Sequence, residues 1–162
     1  TKYAADLALS TFSNVGIARI RVPLDDRPFS GNIIDKLASF QQVIDVENSI
    51  TVIPDMIRVL HQLLEKHAEG IFHVTNPGAL SYKMLMRWYT ELVDTERKTE
   101  WISEEELVSS GLACKKRSTN RLQSTRLSLY GIEMPPVEYS AREAFERWVI
   151  NKMSVSADKV LI

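Results

Sequence analysis

Five cations, Lys115, Lys116, Arg117, Arg121 and Arg126, crowd one stretch of about a dozen residues, and this is where the chain could hold an anion. A guanidinium presents a planar fork of donors that matches two phosphate oxygens at once. The competing reading is a solvated basic face. Nucleic acid fits less well, because no aromatic residues interleave the cations and the net charge is −1. His61, His67 and His73 fall on separate turns or elements and lack metal-ligand spacing. Cys114 is the single cysteine, so no intrachain disulfide can form, and a reducing, cytoplasmic setting is expected. Lys2 and Lys36, judged by themselves, read as ordinary surface lysines.

The elements that must position such groups follow an α/β order. Apolar residues make up 44% and charged residues 25%, values ordinary for a globular domain of 162 residues. There is no apolar run of about 18 residues, so no membrane span is expected, and the first residues do not read as a secretion signal. Residues 2–11 read as a helix, much of it expected to be buried. Residues 17–22 alternate as a strand that Pro23 should stop. Asn32 opens a short helix that presents Ile33, Ile34 and Leu37.

From Gln42 to Tyr89 the order is clearest. Two short strands flank Glu47-Asn48. A helix opens at Pro54, where the missing N–H costs nothing. A strand over residues 71–75 closes at Asn76-Pro77-Gly78, and Ser81 caps another helix whose stripe is Leu85, Trp88, Tyr89 and Leu92. Ser103 with Glu106 forms a capping box. Ser140 with Glu143 reads as a second one, ahead of a helix carrying Phe145, Trp148 and Val149. Residues 153–162 show no pattern and are expected to form a tail. This order suits the later half of a nucleotide-dependent α/β enzyme, yet no glycine-rich phosphate loop precedes it. The chain therefore reads as part of a larger machine.

Several segments taken together resemble one family: Lys2 behind Thr1, ARIRVP at 18–23, GNIIDK at 31–36, VIDVENSITV at 43–52, GIFHVTNPG at 70–78 and RSTNRLQSTRL at 117–127. They are similar to the carboxyl-terminal portion of the dTDP-4-dehydrorhamnose reductase family, extended short-chain dehydrogenases. Among these, the epimerase/reductase branch found in plant UDP-rhamnose synthases is nearest. The resemblance implies an α/β fold: the end of a Rossmann domain over residues 1–23, a sugar-nucleotide-binding region interleaved with the last Rossmann elements over 24–152, and the tail.

It implies a nucleotide-sugar 4-keto reductase, with 3,5-epimerase activity alongside. The cofactor would be NADPH or NADH and the substrate a UDP- or dTDP-linked 4-keto-6-deoxy sugar. Neither nucleic acid nor membrane is implied as a partner, and a homodimer is open to it. Lys2 matches the lysine of the family's Tyr-x-x-x-Lys pair, whose tyrosine would lie upstream of Thr1. The phenol passes a proton to the carbonyl oxygen as hydride arrives, while the lysine lowers the phenol pKa and hydrogen-bonds the cofactor ribose. Lys36 ends an N-[FI]-I-x-K segment implicated in epimerisation. Arg117 and Asn120 match a loop near the sugar nucleotide. On this reading the 162 residues alone lack reductase activity. Two alternatives share the fold: a non-catalytic regulatory or binding module, such as the accessory subunit of methionine adenosyltransferase, and a nucleotide-sugar dehydratase or 4-epimerase.

Overall fold

The computed structural model describes residues 2–115 and 119–158, with the side chains of 155–158 excepted. Three helices share the larger core. Helix α2 (Ile33–Ser39), helix α4 (Tyr82–Leu92) and helix α6 (Val137–Asp158) bury Ile34, Leu37, Leu85, Trp88, Phe145 and Trp148 against one another. Phe145 and Trp148 are fully enclosed, and their rings lie 5.7 Å apart. Burying aromatic side chains of this size stabilises such a core by about 1.5–3 kcal/mol each. A second cluster gathers Val59 and Leu63 of helix α3 (Ile53–Glu65) with Phe72, Leu127 and Ile132.

The strands are short and mostly parallel. Strand β1 (Gly16–Arg19) pairs with β6 (Gly70–His73), β2 (Pro23–Leu24) with β5 (Thr51–Val52), and β3 (Gln42–Ile44) with β8 (Glu100–Ile102), all parallel. Strand β4 (Glu47–Asn48) pairs antiparallel with β7 (Leu80–Ser81). Pro23 opens a strand instead of only ending one. The chain breaks just before it, where Val22 takes a φ of 38°, and proline is acceptable as a first strand residue because its partner needs no donor from it. Glu47-Asn48, expected between strands, is itself a strand, which places Asn48 inside the fold.

Caps explain most helix starts. The Ser81 hydroxyl accepts from Met84 N–H at 3.1 Å, and Ser103 with Glu106 closes a complete capping box on helix α5 (Glu104–Ser109). The second expected box does not form. Helix α6 begins three residues earlier, at Val137, whose N–H donates to Pro77 O at 2.8 Å, and Ser140 is buried within the first turn. Pro135-Pro136 sets that earlier start, since proline favours helix entry. The same helix runs to Asp158, so residues 153–158 continue it instead of forming a tail.

Helix α1 (Lys2–Leu9) buries none of its residues, contrary to the expectation, and Tyr3 and Leu7 are exposed. No described element covers its apolar side. The helix is held to β1 by Arg19, whose Nη2 lies 2.7 Å from Asp6 Oδ2.

Candidate functional site

The site is built on a polar break in the apolar segment 43–52. Asn48 is 2% exposed and Ser49 fully buried. A buried amide or hydroxyl without partners would cost several kcal/mol, about 2–7 by transfer estimates, so these side chains must be satisfied by something specific. What satisfies them is a loop distant in sequence. Asn48 Oδ1 accepts from the backbone N–H of Asn120 at 3.1 Å and from Arg21 Nη2 at 2.8 Å. Ser49 N–H donates to Asn120 O at 3.0 Å, and Ser49 Oγ accepts from Leu122 N–H at 2.8 Å. Arg121, between these anchors, pairs with Glu47 at 2.8 Å.

The consequence is a pinned backbone with an outward side chain. Asn120 is exposed, and its amide side chain makes no hydrogen bond to any described residue. A loop held by main-chain bonds while its side-chain donors and acceptors stay open is suited to meeting a polar ligand at fixed geometry. Arg117, the expected phosphate ligand, lies outside the described residues. The rest of the basic cluster divides. Arg126 is structural: its guanidinium donates to Ile71 O at 3.3 Å and Glu69 O at 3.1 Å and lies 4.9 Å from the Phe72 ring centroid. Lys115 is exposed.

The two lysines sit apart from this hub. Lys2 is on exposed helix α1, and its ammonium has no hydrogen-bond or ion-pair partner among the described residues. Lys36 is on α2, behind the Asn32 cap, and is likewise exposed and without such a partner. Its neighbour Asp35 is not its counter-ion. Asp35 Oδ2 accepts from Phe29 N–H at 3.1 Å and from the Trp148 indole at 3.0 Å, so that carboxylate is used to join α2 to α6. Arg19 and Arg21, neighbours in sequence, separate here: Arg19 pairs with Asp6 and Arg21 donates to Asn48 of the hub.

Asn76 was expected to be only a turn residue, and it does more. It is fully buried, its Oδ1 accepts from Val52 N–H at 2.9 Å, and its Nδ2 donates to Asp55 Oδ2 at 2.6 Å and Pro135 O at 3.1 Å. Asn76 thus clasps β5, the start of α3 and the approach to α6 behind the hub. Asn48 lies in the two-residue strand β4 and Asn76 just beyond β6, and nothing in the residues beside them marks either as a buried tether. Among the described residues no His, Cys, Asp or Glu group could hold a metal ion, and no helix is long and apolar enough to cross a membrane.

Parallel strand pairs backed by helices, with a polar loop lying across a strand end, form an α/β fold that is consistent with part of a Rossmann-type extended short-chain dehydrogenase fold. No protein-family profile matches the chain. It is 27% identical over 141 residues to the bifunctional dTDP-4-dehydrorhamnose 3,5-epimerase/dTDP-4-dehydrorhamnose reductase of Arabidopsis thaliana, covering 86% of this chain and 46% of that protein. It is 28% identical over 141 residues to a trifunctional UDP-glucose 4,6-dehydratase/UDP-4-keto-6-deoxy-D-glucose 3,5-epimerase/UDP-4-keto-L-rhamnose-reductase of the same plant, covering 86% of this chain and 21% of that protein.

Among solved structures, a UDP-rhamnose synthase from Acanthamoeba polyphaga mimivirus superposes with a TM-score of 0.79 at 25% identity, covering 90% of this chain and 50% of that one. A dTDP-4-dehydrorhamnose reductase from Bacillus anthracis, in complex with NADP, gives a TM-score of 0.64 at 20% identity over 83% of this chain and 48% of that one. The chain therefore spans half or less of the length of these relatives. The resemblance read from the residues and the relatives found by comparison agree.

Proposed function

We propose that this chain supplies the sugar-nucleotide side of an NAD(P)H-dependent reductase and epimerase that makes a deoxysugar nucleotide such as UDP- or dTDP-rhamnose. The observation that carries the reading is the pinning of the 119–122 loop on Asn48 and Ser49. Those bonds fix the backbone of Asn120 and Leu122 beside Asn48 and Ser49 at the end of β4. Asn120 would then bind the nucleotide sugar through its open amide, and Arg117 would grip phosphate oxygens in a bidentate fork.

Lys2, exposed with an unpaired ammonium, fits a contact to the cofactor ribose, whose nicotinamide when bound supplies the hydride. Lys36 is the candidate acid or base for epimerisation: it would remove the proton from the carbon beside the 4-keto group on one face, or deliver one there, with a second group serving the opposite face. On this reading residues 1–23 are the end of the Rossmann domain, 24–152 the substrate region and 153–162 a terminal segment, of which residues 153–158 are helical.

The test uses the full polypeptide in which these residues occur, assayed for NADPH oxidation with a UDP-linked 4-keto-6-deoxy sugar. Asn120→Ala is expected to raise KM with little change in kcat. Unchanged kinetics in that variant would overturn the assignment of the loop.

A further inference from the structure

Lys2 and Asp6 stand four residues apart on α1, so their side chains rise from one face of the helix, a turn apart. A lysine and an aspartate at that spacing attract each other on an ordinary helix surface. Here no ion pair joins them, and the neighbouring strand supplies the reason. Arg19 of β1 takes the Asp6 carboxylate: its Nε and Nη2 donate to Asp6 Oδ2 at 3.0 and 2.7 Å. Two charge-assisted bonds from one planar guanidinium hold that carboxylate more firmly than a single ammonium on a flexible stem.

Surroundings favour the same partner. The Asp6 side chain is 20% exposed and that of Arg19 40%, so water only partly screens their pair, whereas Lys2 is exposed. The nearby Glu69 is occupied as well, its Oε1 accepting from Asn14 N–H at 3.1 Å. Loss of Arg19 would leave an idle carboxylate one turn from an ammonium that has no partner among the described residues, and the two would close on each other.

We propose that Arg19 is a positioning residue for Lys2: by holding the Asp6 carboxylate it keeps the Lys2 ammonium free for the cofactor ribose. This rests on the reading of Lys2 as the ribose contact. Arg19 acts through Asp6 and touches neither cofactor nor substrate in this role. Either Arg19→Gln or Asp6→Asn breaks the same tether between α1 and β1, but only Arg19→Gln leaves a carboxylate beside Lys2. That contrast separates positioning from mere support of the helix.

The first readout needs no cofactor. A carbodiimide joins a carboxylate to an adjacent amine as an amide, the reagent taking up the water and leaving as a urea, and peptide mass spectrometry locates the product. Applied to this chain, the yield of the Lys2–Asp6 amide is expected to rise severalfold from the parent to Arg19→Gln. Equal yields would overturn the proposal. The second readout is the equilibrium affinity for NADPH of the full polypeptide in which these residues occur. Arg19→Gln is expected to weaken it by roughly two- to threefold, the scale on which a local helix ion pair competes for one ammonium, with Asp6→Asn close to the parent. Asp6→Asn as weak as Arg19→Gln would reduce Arg19 to a support and overturn the proposal. Lys2→Met tests the underlying reading. Unchanged affinity in Lys2→Met would remove Lys2 from the cofactor and the proposal with it. Weakened affinity in Lys2→Met beside parent-like Arg19→Gln would overturn the positioning role alone.

Discussion

Arg21 and Asn120 meet at one oxygen: the Arg21 guanidinium and the Asn120 backbone N–H both donate to Asn48 Oδ1, at 2.8 and 3.1 Å. The link between β1 and β2 and a loop about a hundred residues later are thereby fixed to the same buried side chain.

Replacing that oxygen should release the loop. Asn48→Ala removes the shared acceptor and leaves the Asn120 amide unsatisfied, at a cost of about 1–3 kcal/mol. Hydrogen exchange at Asn120 and Leu122 should rise well beyond the global change in stability. Equal acceleration across the whole chain would show that Asn48 serves general packing only.

Asn76 clasps three segments at once, so its loss should be felt globally. Asn76→Ala strands Val52 N–H, the Asp55 carboxylate and Pro135 O together, and about 2–4 kcal/mol of stability should disappear. Urea denaturation measures this. A loss below about 1 kcal/mol would mean that water replaces the clasp.

The following turn is constrained in a different way. Gly78 has φ of 100°, and an added Cβ would sit 2.9 Å from Val137 Cγ1. Gly78→Ala should destabilise by about 1–3 kcal/mol, through both the left-handed backbone and the displaced start of α6. A thermal midpoint equal to that of the parent would contradict this geometry.

Acid should loosen α5 and the α4–α6 contact before the core. The Ser103 backbone N–H holds the Glu106 carboxyl below its ordinary range, and hydrogen bonding to Arg142 does the same for Glu91. A depressed folded pKa gives a stabilisation that is full above the ordinary carboxylate value and lost as pH falls through the folded one. Exchange of the α5 amides should therefore rise from about pH 5 downward, and Glu106→Gln should flatten that dependence. A dependence unchanged in the variant would assign the acid sensitivity to other groups.

Much of the α/β order was legible because helix entry is chemical and local. Ser81, Ser103 with Glu106, and Pro54 sit at helix starts for reasons a sequence displays. The misreadings were non-local. Ser140 resembles a cap, but Pro135-Pro136 and the Val137 bond to Pro77 O start the helix earlier. The apolar residues of α1 promised burial that no described element provides. Asn120 drew attention only through the resemblance, and Asn48 gained meaning only when the fold brought residues 48 and 120 together. Lys36 was found by resemblance alone, since nothing in its own surroundings marks it.

The most direct test of the central claim is an amide-NMR titration of this chain with UDP-rhamnose and dTDP-rhamnose. The account predicts shifts concentrated at residues 47–49 and 119–122, lost in Asn120→Ala while the fold is retained. Shifts confined to other surfaces, or none at millimolar ligand, would contradict the placement of a nucleotide-sugar site on the Asn48 hub.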